Sequence, residues 1–355
     1  MIAKLTKIIK EKRLPWFLES KIIQIENIFA YYLGHFLNPF KKGKSKKLKI
    51  MFICGYHGIS GGVIAISNIA NLLANNFQVF FYTFPLSYYN NLLNLKKVVL
   101  TNNIDIRSFD IYICDVSIDH KILKDLKENK KIVIVSCHGL PRELHGLDPN
   151  YVFKSLCLAN YVHFVSEYQK RTFNLKQLSS VVIPNFTFPI KKKKKTKNVG
   201  LIGRHFDPNK NSMQALMLAL KSKASEIHLW GDKSFNYKHK RVKIHGWTSD
   251  KEKIYNSFDI LLSLSKKETF GMTVIEAMSC GIPAILSDIP PFLQFQDCPG
   301  VRLLSFSEIN KVPQLINYFL EQNQQLSQDI ISYWRKKYSP EAVLNKWLLF
   351  LKNIT

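Results

Sequence analysis

The chain has 355 residues, 46% of them hydrophobic, which suffices for two folded cores. It carries 51 Lys and Arg against 26 Asp and Glu, a net charge of +25. This balance argues against cationic partners and for anionic ones: nucleic acid, an acidic membrane or phosphate-bearing ligands. The six cysteines, Cys54, Cys114, Cys137, Cys157, Cys280 and Cys298, include no C-x-x-C pair and no metal-ligand spacing, and read as reduced, buried thiols of a cytoplasmic protein.

Residues 1–47 form a basic amphipathic extension, in which Lys4, Lys7, Lys10, Lys12 and Arg13 alternate with Ile2, Leu5, Ile8 and Ile9 before Trp16 and Phe17. Glu19, Lys21 and Glu26 interrupt the apolar run before it reaches the ~18 residues of a spanning helix, and no small-residue cleavage site follows. Two readings stand: a helix lying on an anionic membrane surface, on the cytoplasmic side, or a helical extension packed on the first domain. Lys41, Lys42, Lys44, Lys46 and Lys47 make a basic linker.

A first α/β domain is expected over residues 48–190. Leu48–Cys54 reads as a buried strand, and Gly55 to Gly62 as a glycine-rich loop opening a helix over Val63–Ala74. The loop lacks the G-x-G-x-x-G spacing of dinucleotide sites. Val79–Tyr82, Ile111–Cys114 and Lys131–Val135 read as further parallel strands, the last running into Ser136-Cys137-His138. Ligands of open α/β sheets sit at strand carboxyl ends, so His138 stands where chemistry can occur, although a lone His is more often structural. Arg142 and His145 follow in a loop that could face an acceptor. Tyr161–Glu167 and Ser180–Asn185 read as the domain's last strands, and Lys191–Lys195 as a solvated charge run in a linker.

A second domain is expected over residues 191–334. Val199–Gly203 reads as its first strand, followed by Arg204, Lys210 and a helix over Ser212–Leu220. Glu226–Gly231 and Val242–Trp247 read as strand and turn segments. Trp247 suits either stacking on a base or packing between domains. Ile260–Leu264 and Ala284–Asp288 read as strands that bracket a short helix. Gly271 allows a tight turn, Thr273 can serve as N-cap, Gly281 stands where the helix ends and Pro283 stops it. Such a helix start offers free N–H groups and a positive dipole end to an anion. Glu268 lies on the loop before the turn and Glu276 in the first helical turn. The bland alternatives are a capping box, Thr273-x-x-Glu276, and a solvated loop charge at Glu268.

The string from Glu268-Thr269-Phe270-Gly271 to Glu276-Ala277-Met278-x-x-Gly281-x-Pro283 resembles the signature of retaining glycosyltransferases of family 4 (glycosyl transferases group 1), which have the GT-B fold. The resemblance covers roughly residues 48–351. It implies two Rossmann-like domains facing a cleft, with terminal helices from residue 335 crossing back to complete the first domain. It implies that Glu276 accepts from the ribose hydroxyls of a sugar nucleotide, and that Glu268 contacts the transferred sugar. Amides of the turn at Gly271, Met272 and Thr273 would hold the diphosphate, as would Gly61 and Gly62 on the first domain. Arg204 and Lys210 match the family's cationic diphosphate clamp, His138 its sugar-side histidine, and Trp247 the segment near the nucleobase.

The expected substrate is a nucleotide-diphosphate sugar, with no tightly bound cofactor, and metal dependence stays open. The expected acceptor is a glycan or lipid-linked hydroxyl in polysaccharide, lipopolysaccharide or glycolipid synthesis. No residue is strongly placed as a covalent nucleophile, so a front-side transfer with retention is expected, the leaving phosphate taking the acceptor proton. The alternatives are a nucleotide-sugar epimerase or phosphorylase on the same fold, a basic nucleic-acid-binding protein, and an inactive protein that binds a nucleotide sugar on this scaffold. Nucleic acid is not expected as a partner, since charge alone suggests it and no nucleic-acid module is recognisable.

Overall fold

A computed structural model describes residues 47–54, 61–82, 95, 97–101, 107–141, 148–193, 195–233, 235–322 and 324–355. The expectations for the N-terminal extension, for the loop from Gly55 to Ser60 and for Arg142 and His145 lie outside these residues. The chain divides into two units. One runs to Pro184 and resumes over Lys346–Thr355; the other is Asn185–Asn345.

The first unit is built on a seven-stranded sheet, ordered β3-β2-β1-β4-β5-β6-β7. Its strands are β1 (Lys49–Ile53), β2 (Gln78–Tyr82), β3 (Val99–Thr101), β4 (Ile111–Asp115), β5 (Ile132–Cys137), β6 (Tyr161–Phe164) and β7 (Ser180–Val182), and all pair in parallel. Ile50, Met51 and Phe52 are fully buried, as expected of a strand covered on both faces, where every position is apolar.

Among the described residues, four helices alternate with these strands: α1 (Gly61–Leu73), α2 (His120–Glu128), α3 (Pro149–Leu158) and α4 (Glu167–Phe173). Asp119, Asp148 and Ser166 cap the last three by accepting from a first-turn N–H. Gly61 and Gly62, expected in the loop, are the first two residues of α1. Cys157 is exposed on α3, against the expectation of a buried thiol; the other five cysteines are buried, and all six are free.

The second unit carries a six-stranded parallel sheet, ordered β10-β9-β8-β11-β12-β13. Its strands are β8 (Val199–Gly203), β9 (Ile227–Gly231), β10 (Val242–His245), β11 (Ile260–Ser263), β12 (Ala284–Ser287) and β13 (Val301–Leu304). The helices are α5 (Ser212–Leu220), α6 (Lys251–Tyr255), α7 (Met272–Ser279), α8 (Val312–Leu320), α9 (Gln324–Tyr338) and α10 (Pro340–Ile354), the last running into the first unit's Lys346–Thr355.

Both sheets grow outward in two directions from a central pair, β1 beside β4 and β8 beside β11. Such a reversal leaves a crevice at the strands' carboxyl ends, the usual ligand site of doubly wound sheets. The lysine run at the start of the second unit is only partly solvated. Lys192 Nζ lies 2.9 Å from Asp259 Oδ1 and donates to the Phe258 carbonyl at 2.8 Å, anchoring the linker to the domain.

Candidate functional site

The second unit's reversal point gathers most of the expected residues. Arg204 and Lys210 follow β8, and Glu268 follows β11, the two strands that flank the crevice. Lys210 donates to Glu268 Oε1 in a partly buried ion pair, and Ser265 Oγ donates to the same oxygen at 3.2 Å. A cation and a carboxylate far apart in sequence therefore meet. Asn209 holds the two loops together by accepting from Lys266 N–H at 2.7 Å.

Arg204 is exposed and makes a long contact, 3.7 Å, to Asp207. Its guanidinium stays largely hydrated, free to meet an anion. Neighbouring His205 is fixed: Nδ1 lies 3.0 Å from Ser212 Oγ, Nε2 3.1 Å from the Trp230 carbonyl, and its backbone N–H donates to Asp232 at 2.6 Å. Burial lowers its pKa, which keeps a second positive charge off this strand end.

The helix after Glu268 differs from expectation in its first turn. Gly271, not Thr273, is the N-cap, at φ +101° and with no side-chain cap. A Cβ there would stand 2.9 Å from the Phe292 ring, so both backbone and space require glycine. Val274 N–H returns to the Gly271 carbonyl at 3.0 Å, and no side chain caps the helix start. An uncapped start presents donors to an anion.

Glu276 consequently lies beyond the first turn of α7, and it does not close a capping box. Its side chain is buried. Tyr255 Oη donates to Oε2 at 2.6 Å, and Lys251 Nζ lies 2.9 Å from Oε1. Burial and the adjacent carboxylate both push the Tyr255 phenol pKa well up, so it remains a donor. Two anchors leave lone pairs on Oε1 and Oε2 for further donors such as a diol, since a carboxylate offers about four acceptor positions.

Trp247 is 56% exposed. In the first unit, His138 stands just past the carboxyl end of β5 and bonds Ser136 Oγ through Nε2 at 2.9 Å. Among the described residues nothing lies within 4 Å of a Cβ added at Gly61. Among the described residues no group of three or more His, Cys, Asp or Glu could hold a metal ion, and no helix is long and apolar enough to cross a membrane.

Sequence reasoning missed Lys251, Tyr255 and Ser265. Ser265, a hydroxyl three residues before Glu268, was the one detectable signal. Lys251 and Tyr255 sit on a separate helix and gave none.

Comparison with known proteins agrees with this architecture. Residues 233–337 match the family model described as Glycosyl transferases group 1. WclY of Escherichia coli, an O-antigen biosynthesis glycosyltransferase, is 28% identical over 111 residues, 31% of this chain and 31% of that protein. The poly(ribitol-phosphate) alpha-N-acetylglucosaminyltransferase of Staphylococcus aureus (strain COL) is 29% identical over 154 residues, 38% of this chain and 30% of that protein. The chain thus matches about a third of the length of these curated relatives.

Among solved structures, Anabaena Alr3699/HepE in complex with UDP-glucose has a TM-score of 0.68 at 14% identity, covering 86% of this chain and 100% of that one. The apo form of the lipopolysaccharide outer core galactosyltransferase WaaB has a TM-score of 0.62 at 20% identity, with 86% and 100% covered. The class is thereby defined: an α/β protein of GT-B fold with two Rossmann-like domains. More particularly, residues 233–337 of its second unit match the model of the glycosyl transferases group 1 domain.

Proposed function

We propose that the chain is a retaining glycosyltransferase, which moves a sugar from a nucleotide-diphosphate donor to an acceptor hydroxyl. The observation that carries this reading is the meeting of Lys210 with Glu268 at the reversal point of the second sheet, beside an uncapped, glycine-initiated helix. A cation, a carboxylate and free amides thus stand near the carboxyl ends of β8 and β11, and the stretch that carries the carboxylate and the amides lies within residues 233–337, the part matched by the glycosyl transferases group 1 model.

In this reading the leaving diphosphate is met by the amides of Gly271, Met272 and Thr273 and by Arg204 and Lys210. Lys210 and the helix-start amides are held before reaction, Arg204 is free to move onto the diphosphate, and together they stabilise charge as it develops. Glu268 orients the transferred sugar while holding Lys210 in place, and Glu276, braced by Tyr255 and Lys251, accepts from the ribose. His138, Gly61, Gly62 and Trp247 complete the proposed binding set. Transfer proceeds on the front side, the departing phosphate oxygen taking the acceptor's proton, with retention of configuration.

Polysaccharide or O-antigen-type glycan synthesis supplies the acceptor by likeness to WclY, and the UDP-glucose bound by Alr3699/HepE puts uridine diphosphate sugars first among donors. The net charge of +25 supports a location at the cytoplasmic face of an anionic membrane, testable by salt-sensitive vesicle co-sedimentation.

The deciding experiment incubates the purified chain with a panel of nucleotide sugars and glycan or lipid-linked acceptors. A glycoside whose anomeric configuration matches the donor is expected. A free epimer or sugar phosphate would move the reading to an epimerase or phosphorylase. No consumption of any donor would end the enzyme reading.

A further inference from the structure

The carboxyl end of the first unit's sheet holds a chain of polar groups whose hydrogens have only one consistent arrangement. The Ile183 carbonyl lies 2.8 Å from His163 Nε2, and a carbonyl can only accept, so Nε2 carries the proton. Burial lowers the His163 pKa to about 4; the ring is therefore neutral and Nδ1 is a bare lone pair. Nδ1 stands 2.7 Å from Ser136 Oγ, and the hydroxyl spends its single proton there. Ser136 can then only accept from its other neighbour, His138 Nε2, at 2.9 Å. Burial, followed by the nearby His163, lowers the His138 pKa to about 3. Its Nε2 holds the one ring proton, and its buried Nδ1 is a lone pair that finds no hydrogen-bond partner among the described residues.

We propose that Ser136 and His163 are positioning residues that lock His138 in the Nε2–H tautomer, so that Nδ1 accepts a hydrogen bond from a hydroxyl of the bound ligand. The consequence is selective. A bare ring nitrogen welcomes an O–H donor and repels phosphate oxygens, which offer only lone pairs. His138 therefore reads a sugar or acceptor hydroxyl and takes no part in holding the diphosphate. Trp347, fully buried and 4.7 Å from the His163 ring, blocks solvent from the far end of the chain of bonds. The identity of the ligand rests on the glycosyltransferase reading above; the tautomer does not.

The first test is 15N-histidine NMR of the full chain at neutral pH, with the His138 signals assigned by their loss in His138→Gln. A pyridine-type Nδ1 and a pyrrole-type Nε2 are expected, with mixed tautomers in Ser136→Ala. A pyrrole-type Nδ1 in the unsubstituted protein would overturn the proposal, whether or not the variant folds.

The second test is kinetic. Ser136→Ala should lower kcat/KM for a nucleotide sugar about fivefold to tenfold, as for one lost hydrogen bond. That penalty should vanish when the paired hydroxyl is replaced by hydrogen, in a deoxy donor if the donor sugar supplies it and in a deoxy acceptor if the acceptor does. A penalty that persists with every such analogue would remove the ligand hydroxyl from the proposal. Absence of any glycosyl transfer would defeat the functional reading alone, because the NMR result needs no turnover.

Discussion

Tyr255 and Glu276 face each other across 2.6 Å in the buried interior of the second unit, phenol donating to carboxylate Oε2. Lys251, four residues before Tyr255 on the same short helix, holds Oε1. One element thus presets both oxygens of the acid expected to meet a ribose. Tyr255→Phe should lower stability by about 1.5–3 kcal/mol, the value of a hydrogen bond to a charged group. Equilibrium urea unfolding measures it, and an unchanged midpoint would show that the bond contributes nothing.

Lys210→Ala separates catalysis from folding. Its ion pair with Glu268 is partly exposed and should contribute about 1 kcal/mol or less to stability. Loss of one fixed charge stabiliser should instead lower kcat by about 10² to 10³. Steady-state kinetics beside a thermal melt decides: an undiminished kcat removes Lys210 from the mechanism.

Gly271→Ala should fail twice. The backbone at φ +101° costs a non-glycine residue about 1–3 kcal/mol, and the new methyl meets Phe292. Twisting the turn also misdirects the amides at the start of α7. Calorimetric titration with a nucleoside diphosphate should show lost affinity along with a lowered melting temperature; intact affinity would detach the turn from binding.

The buried pair His138 and His163 should make the first unit acid-sensitive. Both are neutral when folded, with pKa values lowered to about 3 and about 4, whereas the unfolded chain takes up protons below the ordinary histidine value near 6.5. Stability from this source is complete above pH ~6.5 and declines as pH falls from there toward about 4, by about 1.4 kcal/mol per pH unit for each histidine. Urea unfolding at pH 6.5, 5.5 and 4.5 should show that slope, and His163→Gln should flatten it by one histidine's share. Equal slopes in the two proteins would contradict it.

Much of this molecule is legible in its residues. Parallel strands covered on both faces read as unbroken apolar runs, so Ile260–Leu264 and Ala284–Asp288 announced β11 and β12, and the helix between them could be placed to within a residue or two. The residue string around Glu268 and Glu276 pointed to the fold through its resemblance to a family signature, while its glycines and proline marked the turn and the helix ends. Local chemistry misled at Thr273, a good capping residue displaced by Gly271, which alone tolerates the backbone angle that aims the chain into α7.

Sequence alone determined the strand–helix alternation, the anion-seeking charge and the residues to watch, since each depends on near neighbours in the chain. Only the tertiary structure decided that Lys210 finds Glu268, that Tyr255 and Lys251 brace Glu276, and that Ser136 and His163 set the proton on His138. Apart from Ser136 and His138, two residues apart at one strand end, each of those pairings is made by sheet order and helix packing, which bring together residues too far apart along the chain for any local spacing to mark them.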